Sequence, residues 1–260
     1  MKMSLVFLTL AGSMLAQSLA PLNADGVPMG ALAPSAIAKG PKAAFDLTGT
    51  WLHGGGQNNP WQFSPPAGAR LTPAAQKEND AFKKAQAEKK AYKDDIGACW
   101  PAGLPMIMTR VWPIAMIQKP TAIFMVSGFM NSVRIIYLDG RQHTDPDVVI
   151  PSFNGESIGH WEGDTLVVET TNFNDMPAVG RGASRNLKVT EKFTRTGPET
   201  VLYQFTVTDP STWEKSWSGE YPLGKMDGAV YEYACQEANY GMANILSGAR
   251  ADERKAAGQK

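Results

Sequence analysis

A mainly β architecture, an antiparallel up-and-down sheet that closes into a barrel, is what this sequence predicts. Three observations carry it. From Ile114 onward, short runs rich in Val, Ile, Thr, Tyr and Phe recur at close spacing. Turn chemistry separates them, at Gly128, Asp139-Gly140, Gly163-Asp164, Gly197-Pro198 and Asp209-Pro210. Consecutive strands joined by tight turns leave two exposed edges, and closure removes them.

The elements follow in chain order. Lys2 and the apolar run Leu5-Val6-Phe7-Leu8 through Met14-Leu15-Ala16 read as a secretory signal over residues 1–20. Residues 21–42 are rich in Ala, Pro and Gly without periodicity, which predicts a disordered lead-in. A single barrel domain is expected over 43–248 and a flexible tail over 249–260. Residues 45–51 form the first strand, and a Gly/Asn/Pro loop follows over 54–60. Thr72-Pro73 supplies an N-cap and a first helical residue, starting a surface helix to about Tyr92 with a narrow stripe of Phe82, Ala85 and Tyr92. Further strands are expected at 122–127, 132–138, 157–161, 165–171, 187–196, 200–208, 213–221 and 229–235.

Lys+Arg and Asp+Glu balance at 25 each. No basic stripe is available to neutralise phosphates, which argues against a nucleic-acid partner. Once the signal is removed, no apolar run is long enough to span a membrane. The two cysteines, Cys99 and Cys235, in an exported chain point to a disulfide, with a nucleophilic cysteine as the competing assignment. Two thiols and three histidines form no zinc pattern, and neither a metal nor an organic cofactor is implied. The predicted location is periplasmic or secreted.

The best-defined local structure is the hairpin through Trp161-Glu162-Gly163-Asp164-Thr165. A two-residue turn at Gly163-Asp164 places Trp161 opposite Leu166 and His160 opposite Val167. Alternation then puts Ile158, His160, Val167 and Glu169 on one face, with His160 diagonal to Glu169. Such a pair either moves protons inside a cavity or is a half-exposed cross-strand ion pair. Arg134 lies on a strand whose two faces both look buried, so it pairs with a carboxylate or holds an anionic or hydroxylated ligand. After the Asp139-Gly140 turn the chain releases Arg141 and His143 into a loop, where His143 meets either a ligand or the nearby Asp145 and Asp147. The candidate catalytic residues are thus His143, His160, Glu169 and Arg134, and the candidate substrate contacts are Arg141, Tyr137 and Trp51.

The runs Asp139-Gly140-Arg141-Gln142-His143 and Gly155-Glu156-Ser157-Ile158-Gly159-His160-Trp161-Glu162-Gly163-Asp164-Thr165-Leu166-Val167-Val168 resemble a large family of exported bacterial proteins with no assigned reaction. The resemblance extends from Leu47-Thr48-Gly49-Thr50-Trp51 through Cys99 and Thr190-Glu191-Lys192-Phe193 to Cys235. It implies export and a barrel-like fold. Two departures stand out: Thr144 follows His143 where the family has proline, and Gly182-Ala183-Ser184 replaces a Pro-His-Ser. The Gly49-Thr50-Trp51 opening is also similar to the start of lipocalin-type (calycin) barrels.

Two functions fit these features. One is a cofactor-independent acid–base enzyme, a lyase, isomerase or dehydratase, acting on a small apolar or aromatic molecule in a barrel cavity. The other is a non-catalytic, lipocalin-like carrier of a small hydrophobic ligand. The enzyme needs an ionisable group poised against the ligand; the carrier needs only the pocket.

Overall fold

The computed structural model describes residues 41–53, 65–66, 68–88, 99–109, 112–175, 184–235, 237 and 240–258. The expected signal, the lead-in up to residue 40 and the Gly182-Ala183 positions lie outside the described residues. Nine strands form a closed barrel in sequence order: β1 Gly49–His53, β2 Ile114–Lys119, β3 Ala122–Ser127, β4 Val133–Tyr137, β5 Glu156–Glu162, β6 Thr165–Thr171, β7 Lys188–Gly197, β8 Thr200–Thr208 and β9 Trp217–Met226. Three helices accompany them among the described residues: α1 Pro73–Ala87, α2 Met106–Thr109 and α3 Tyr240–Ala256.

The barrel is not purely antiparallel, and the reason is parity. A ring with an odd number of strands cannot alternate direction at every link, so at least one link must be parallel. Here that link is β4–β5, a short contact pairing Ile136 with Ser157 and Tyr137 with Ile158. A parallel link cannot be made by a tight hairpin. The connection 138–155 therefore leaves the sheet, and it is this connection that carries His143.

Several expected elements shift. Residues 114–119, between Pro113 and Pro120, form β2, which pairs with β1 through Trp51↔Ile114 and with β3 through Lys119↔Ala122. The last strand begins at Trp217 rather than 213, because Trp213 instead bridges to Leu71 ahead of α1. Residues 229–235 are not a strand. They follow Gly228, whose φ of +152° breaks the extended run, and they are tied to the β3–β4 turn. The tail expected at 249–260 is helical through Ala256. Helix α1 matches its predicted start: Thr72 Oγ1 accepts from the Ala75 N–H at 3.3 Å, Pro73 opens the first turn, and none of its residues is buried.

Alternation sends one side chain in two into a single contiguous core. Trp51, Phe193 and Tyr203 are fully enclosed there, with Met116, Met125 and Phe205 beside them. Phe205 lies opposite Gly219, and a Cβ on that glycine would stand 2.5 Å from the ring, so the missing side chain is what lets the ring lie flat on β9. Leu104 and the α2 residues Ile107 and Met108 join the same core, and the Tyr221 hydroxyl donates to the Met108 carbonyl at 2.7 Å. Cys99, at the head of this plug, is disulfide-bonded to Cys235. No described helix is long and apolar enough to cross a membrane.

Candidate functional site

The predicted hairpin register is found. Trp161 faces Leu166, His160 faces Val167 and Ile158 faces Glu169, with Gly163 at φ +57° in the turn. Trp161 points inward but is only half-buried, its ring standing edge-on to Phe45 at 5.0 Å. The same alternation separates the four candidate catalytic residues. Arg134 points into the barrel, whereas His160 and Glu169 point outward on β5 and β6, and His143 approaches Glu169 alone from the connection outside the wall.

Inside, Arg134 pairs with Glu191 of β7, both almost wholly buried. Its guanidinium donates to Glu191 Oε1 at 3.0 Å and also to Oε2, to Ser157 Oγ at 2.9 Å, to Thr170 Oγ1 at 3.1 Å and toward Met125 Sδ at 3.9 Å. A guanidinium has five N–H groups, and these contacts use all of them. Of the two roles open to Arg134, the carboxylate pair is the one found. Glu191 also accepts from the Tyr203 hydroxyl at 2.8 Å. Burial, reinforced by the Glu191 charge, raises both Tyr203 and Tyr221 well above the ordinary tyrosine range, so both phenols stay protonated.

The candidate substrate contacts are committed elsewhere. Trp51 is fully buried and its indole N–H donates to the Leu47 carbonyl at 2.8 Å, so it serves the core. Arg141 folds back on its own turn, with Nη2 2.6 Å from Asp139 Oδ2 and the guanidinium 3.6 Å over the Tyr137 ring. His160 is exposed and bonds Glu162, its neighbour two residues on, at 2.9 Å rather than Glu169.

His143 is the candidate held in a built environment. Its Nδ1 lies 3.2 Å from Glu156 Oε2 at the start of β5. That carboxylate also accepts from the Thr144 N–H at 2.8 Å, the Thr144 hydroxyl at 2.7 Å and the Asn172 amide at 3.0 Å. On the other side of the ring, Nε2 is buried without a hydrogen-bond partner, 3.8 Å from Glu169 Oε1. Glu169 is in turn ion-paired with Lys188 of β7. Asn172 takes a left-handed conformation, φ +59°, as it turns its amide between Glu156 and the Thr144 carbonyl. Glu156, Asn172 and Lys188 are site residues that sequence patterns did not single out. Glu156 was available as the outward neighbour of Ile158 and His160 on the same strand.

Burial acts to raise the Glu156 pKa, but the bonds from His143, Thr144 and Asn172 outweigh it and lower the value from 4.5 to about 2. A carboxylate whose folded pKa is depressed stabilises the fold above its unfolded pKa and loses that contribution as pH falls through the folded value. Acid unfolding of the native protein should therefore steepen between pH 4.5 and 2. Glu156→Gln should flatten that interval in chemical-denaturation profiles taken at stepped pH, and an unchanged profile would show that the carboxylate is not held this way.

Among the described residues, no group of three His, Cys, Asp or Glu side chains is arranged to hold a metal ion. No family model matches the chain, and no curated protein or solved structure is detectably similar to it.

Proposed function

We propose that this chain is an exported, periplasmic or secreted, acid–base enzyme that uses His143 to move a proton on a small, largely apolar molecule, a lyase, isomerase or dehydratase reaction. The observation that carries the proposal is the His143 ring itself. An ionised Glu156, anchored by three further donors, takes the Nδ1–H and so leaves the lone pair on Nε2. That is the tautomer a general base requires. The unpartnered Nε2 and the Glu169 carboxylate face each other at 3.8 Å.

His143 is thus the proton carrier, Glu156 its positioning residue, and Glu169 with Lys188 the second wall of the site. The loop that delivers His143 also carries Val148 and Ile150, 74% and 89% exposed, which offer an apolar surface to the rest of a substrate. The reacting group lies on the outer side of the wall, packed between β5, β6 and the 138–155 connection, so substrate entry requires that connection to move off the buried Nε2. The interior Arg134, with every donor engaged, is left a structural part.

The test is solvent-deuterium incorporation, followed by NMR, over a panel of small aromatic and aliphatic keto and hydroxy compounds with the mature protein. His143→Ala is expected to lower exchange or turnover by roughly 10²–10⁴-fold with an unchanged circular dichroism spectrum. Compounds that bind without exchange, equally to wild type and His143→Ala, would replace the enzyme with the lipocalin-like carrier.

A further inference from the structure

The outer wall of the barrel is not uniform. Across β7, β8 and β9 two of the outward rows are polar: Lys192 faces Gln204, which faces Glu220, and Thr190 faces Thr206, which faces Ser218, while the row beside them, Thr194–Leu202–Pro222, is mixed. The polar rows are satisfied in place, with Gln204 donating to Glu220 at 2.8 Å and the Thr206 and Ser218 hydroxyls 2.8 Å apart. Across β2, β3 and β4 two outward rows are apolar, and the row beyond them runs from Lys119 through Ala122 to Tyr137. Ala115 faces Val126, which faces Val133, and Ile117 faces Phe124, which faces Ile135. Their neighbours Met116, Met125 and Arg134 are buried inside, so these six point away from the core. Val133 is 57% and Ile117 49% exposed. A sheet with one wet face normally reads hydrophobic-in and polar-out, and an apolar block on the wet face marks an interaction surface.

A second surface lacks a partner. Every described side chain of α3 is exposed except Ala251, which is half-buried. Ile245, Leu246 and Ala249 fall on one stripe of that helix by their spacing. Helices in proteins draw most of their stability from packing an apolar face, and here Ile245 and Leu246 lie exposed. The chain that leads into α3 is anchored at the edge of the apolar wall. Asn131, in the β3–β4 turn two residues before Val133, donates to the Tyr231 carbonyl at 2.9 Å and accepts from the Tyr233 N–H.

We infer that the partner is a second copy of this chain, with α3 of each copy laid by its Ile245–Leu246–Ala249 stripe on the β2–β4 wall of the other. Reciprocal exchange closes the contact around a two-fold axis, so a helix-on-sheet fit gives a dimer rather than an open filament. A 17-residue helix is about 25 Å long and about 10 Å across. Burying a third of its side against the wall, counted on both surfaces and in both copies, removes about 1,000 Å² from water, the lower bound for a specific interface. The net charge of zero puts no long-range repulsion between the copies.

Sedimentation velocity of the mature protein across the micromolar range tests this. The wild type is expected to be a dimer. Leu246→Asp on the helix and Val133→Lys on the wall are each expected to be monomers, with dissociation constants raised at least about a hundredfold. An equimolar mixture of the two variants should regain a weaker dimer, because one wild-type helix still meets one wild-type wall. A monomeric wild type overturns the inference, whether or not it binds phosphatidylglycerol vesicles through α3. So does a dimer lost on Leu246→Asp but kept on Val133→Lys, which would mean that the helices pair with each other.

Discussion

Arg134→Met is expected to destabilise the barrel by about 3–5 kcal/mol in urea denaturation, the cost of leaving a buried charge without its partner. The charge left behind is Glu191, which is fully buried and would keep only the Tyr203 hydroxyl as a donor. Glu191→Leu should cost a similar amount from the other side, since it strands the Arg134 guanidinium. The double variant is expected to be more stable than either single one. Met and Leu bury apolar surface, and Ser157 and Thr170 still bond each other at 2.9 Å, so the Tyr203 hydroxyl becomes the main unpaired group. Costs that simply add would show that the two charges do not act on each other. Single variants with an unchanged midpoint and lost ligand affinity would instead restore Arg134 to the role of ligand anchor.

This network was half legible in the sequence. An arginine between apolar neighbours on a strand announces a buried partner, and Arg134 drew that expectation. The partner was also visible in principle: Glu191 sits between Val189 and Phe193 in period-two register, a carboxylate in an inward row. Pairing the two required knowing that β4 and β7 face each other across the barrel, which no local pattern encodes. The Trp161 hairpin, by contrast, was legible down to its register, because a two-residue turn and an alternating pattern determine it within about ten residues.

The same division explains the outer site. Alternation placed His160 and Glu169 on one face, and that placement holds. The histidine that approaches Glu169 is nevertheless His143, brought there by a connection whose path depends on the parallel β4–β5 link. Tight-turn reasoning assumes that neighbouring strands run in opposite directions, so it misses a link set by the parity of the whole ring. His143 consequently found its carboxylate in Glu156, beyond the reach of sequence proximity, and not in Asp145 or Asp147. The shift of the last strand has a comparable cause: Trp213 and Trp217 look alike to a propensity count, and only contact with Leu71 draws Trp213 out of the sheet.

Replacing both cysteines, Cys99→Ser with Cys235→Ser, is expected to cost about 4 kcal/mol, or about 10 °C in melting temperature for a domain of this size. The bond joins residues 136 apart in sequence, and the loop-closure entropy it removes from the unfolded chain grows with that separation. Its ends sit 6.0 Å apart at Cα, a span a disulfide bridges without moving the backbone. The local consequence is larger than a generic staple. Cys99 opens the segment whose Ala102, Leu104, Ile107 and Met108 plug the barrel core, while Cys235 ends the stretch held to the β3–β4 turn through Asn131. Severing the bond frees the plug at one end, so hydrogen exchange at residues 99–109 should accelerate more than exchange in β7 and β8, where long antiparallel ladders hold the amides. Dithiothreitol added to the wild type should reproduce the loss seen in the double variant. Two reactive thiols in the denatured, unreduced protein would refute the bond itself. A double variant that melts with the wild type would refute its role in holding the plug.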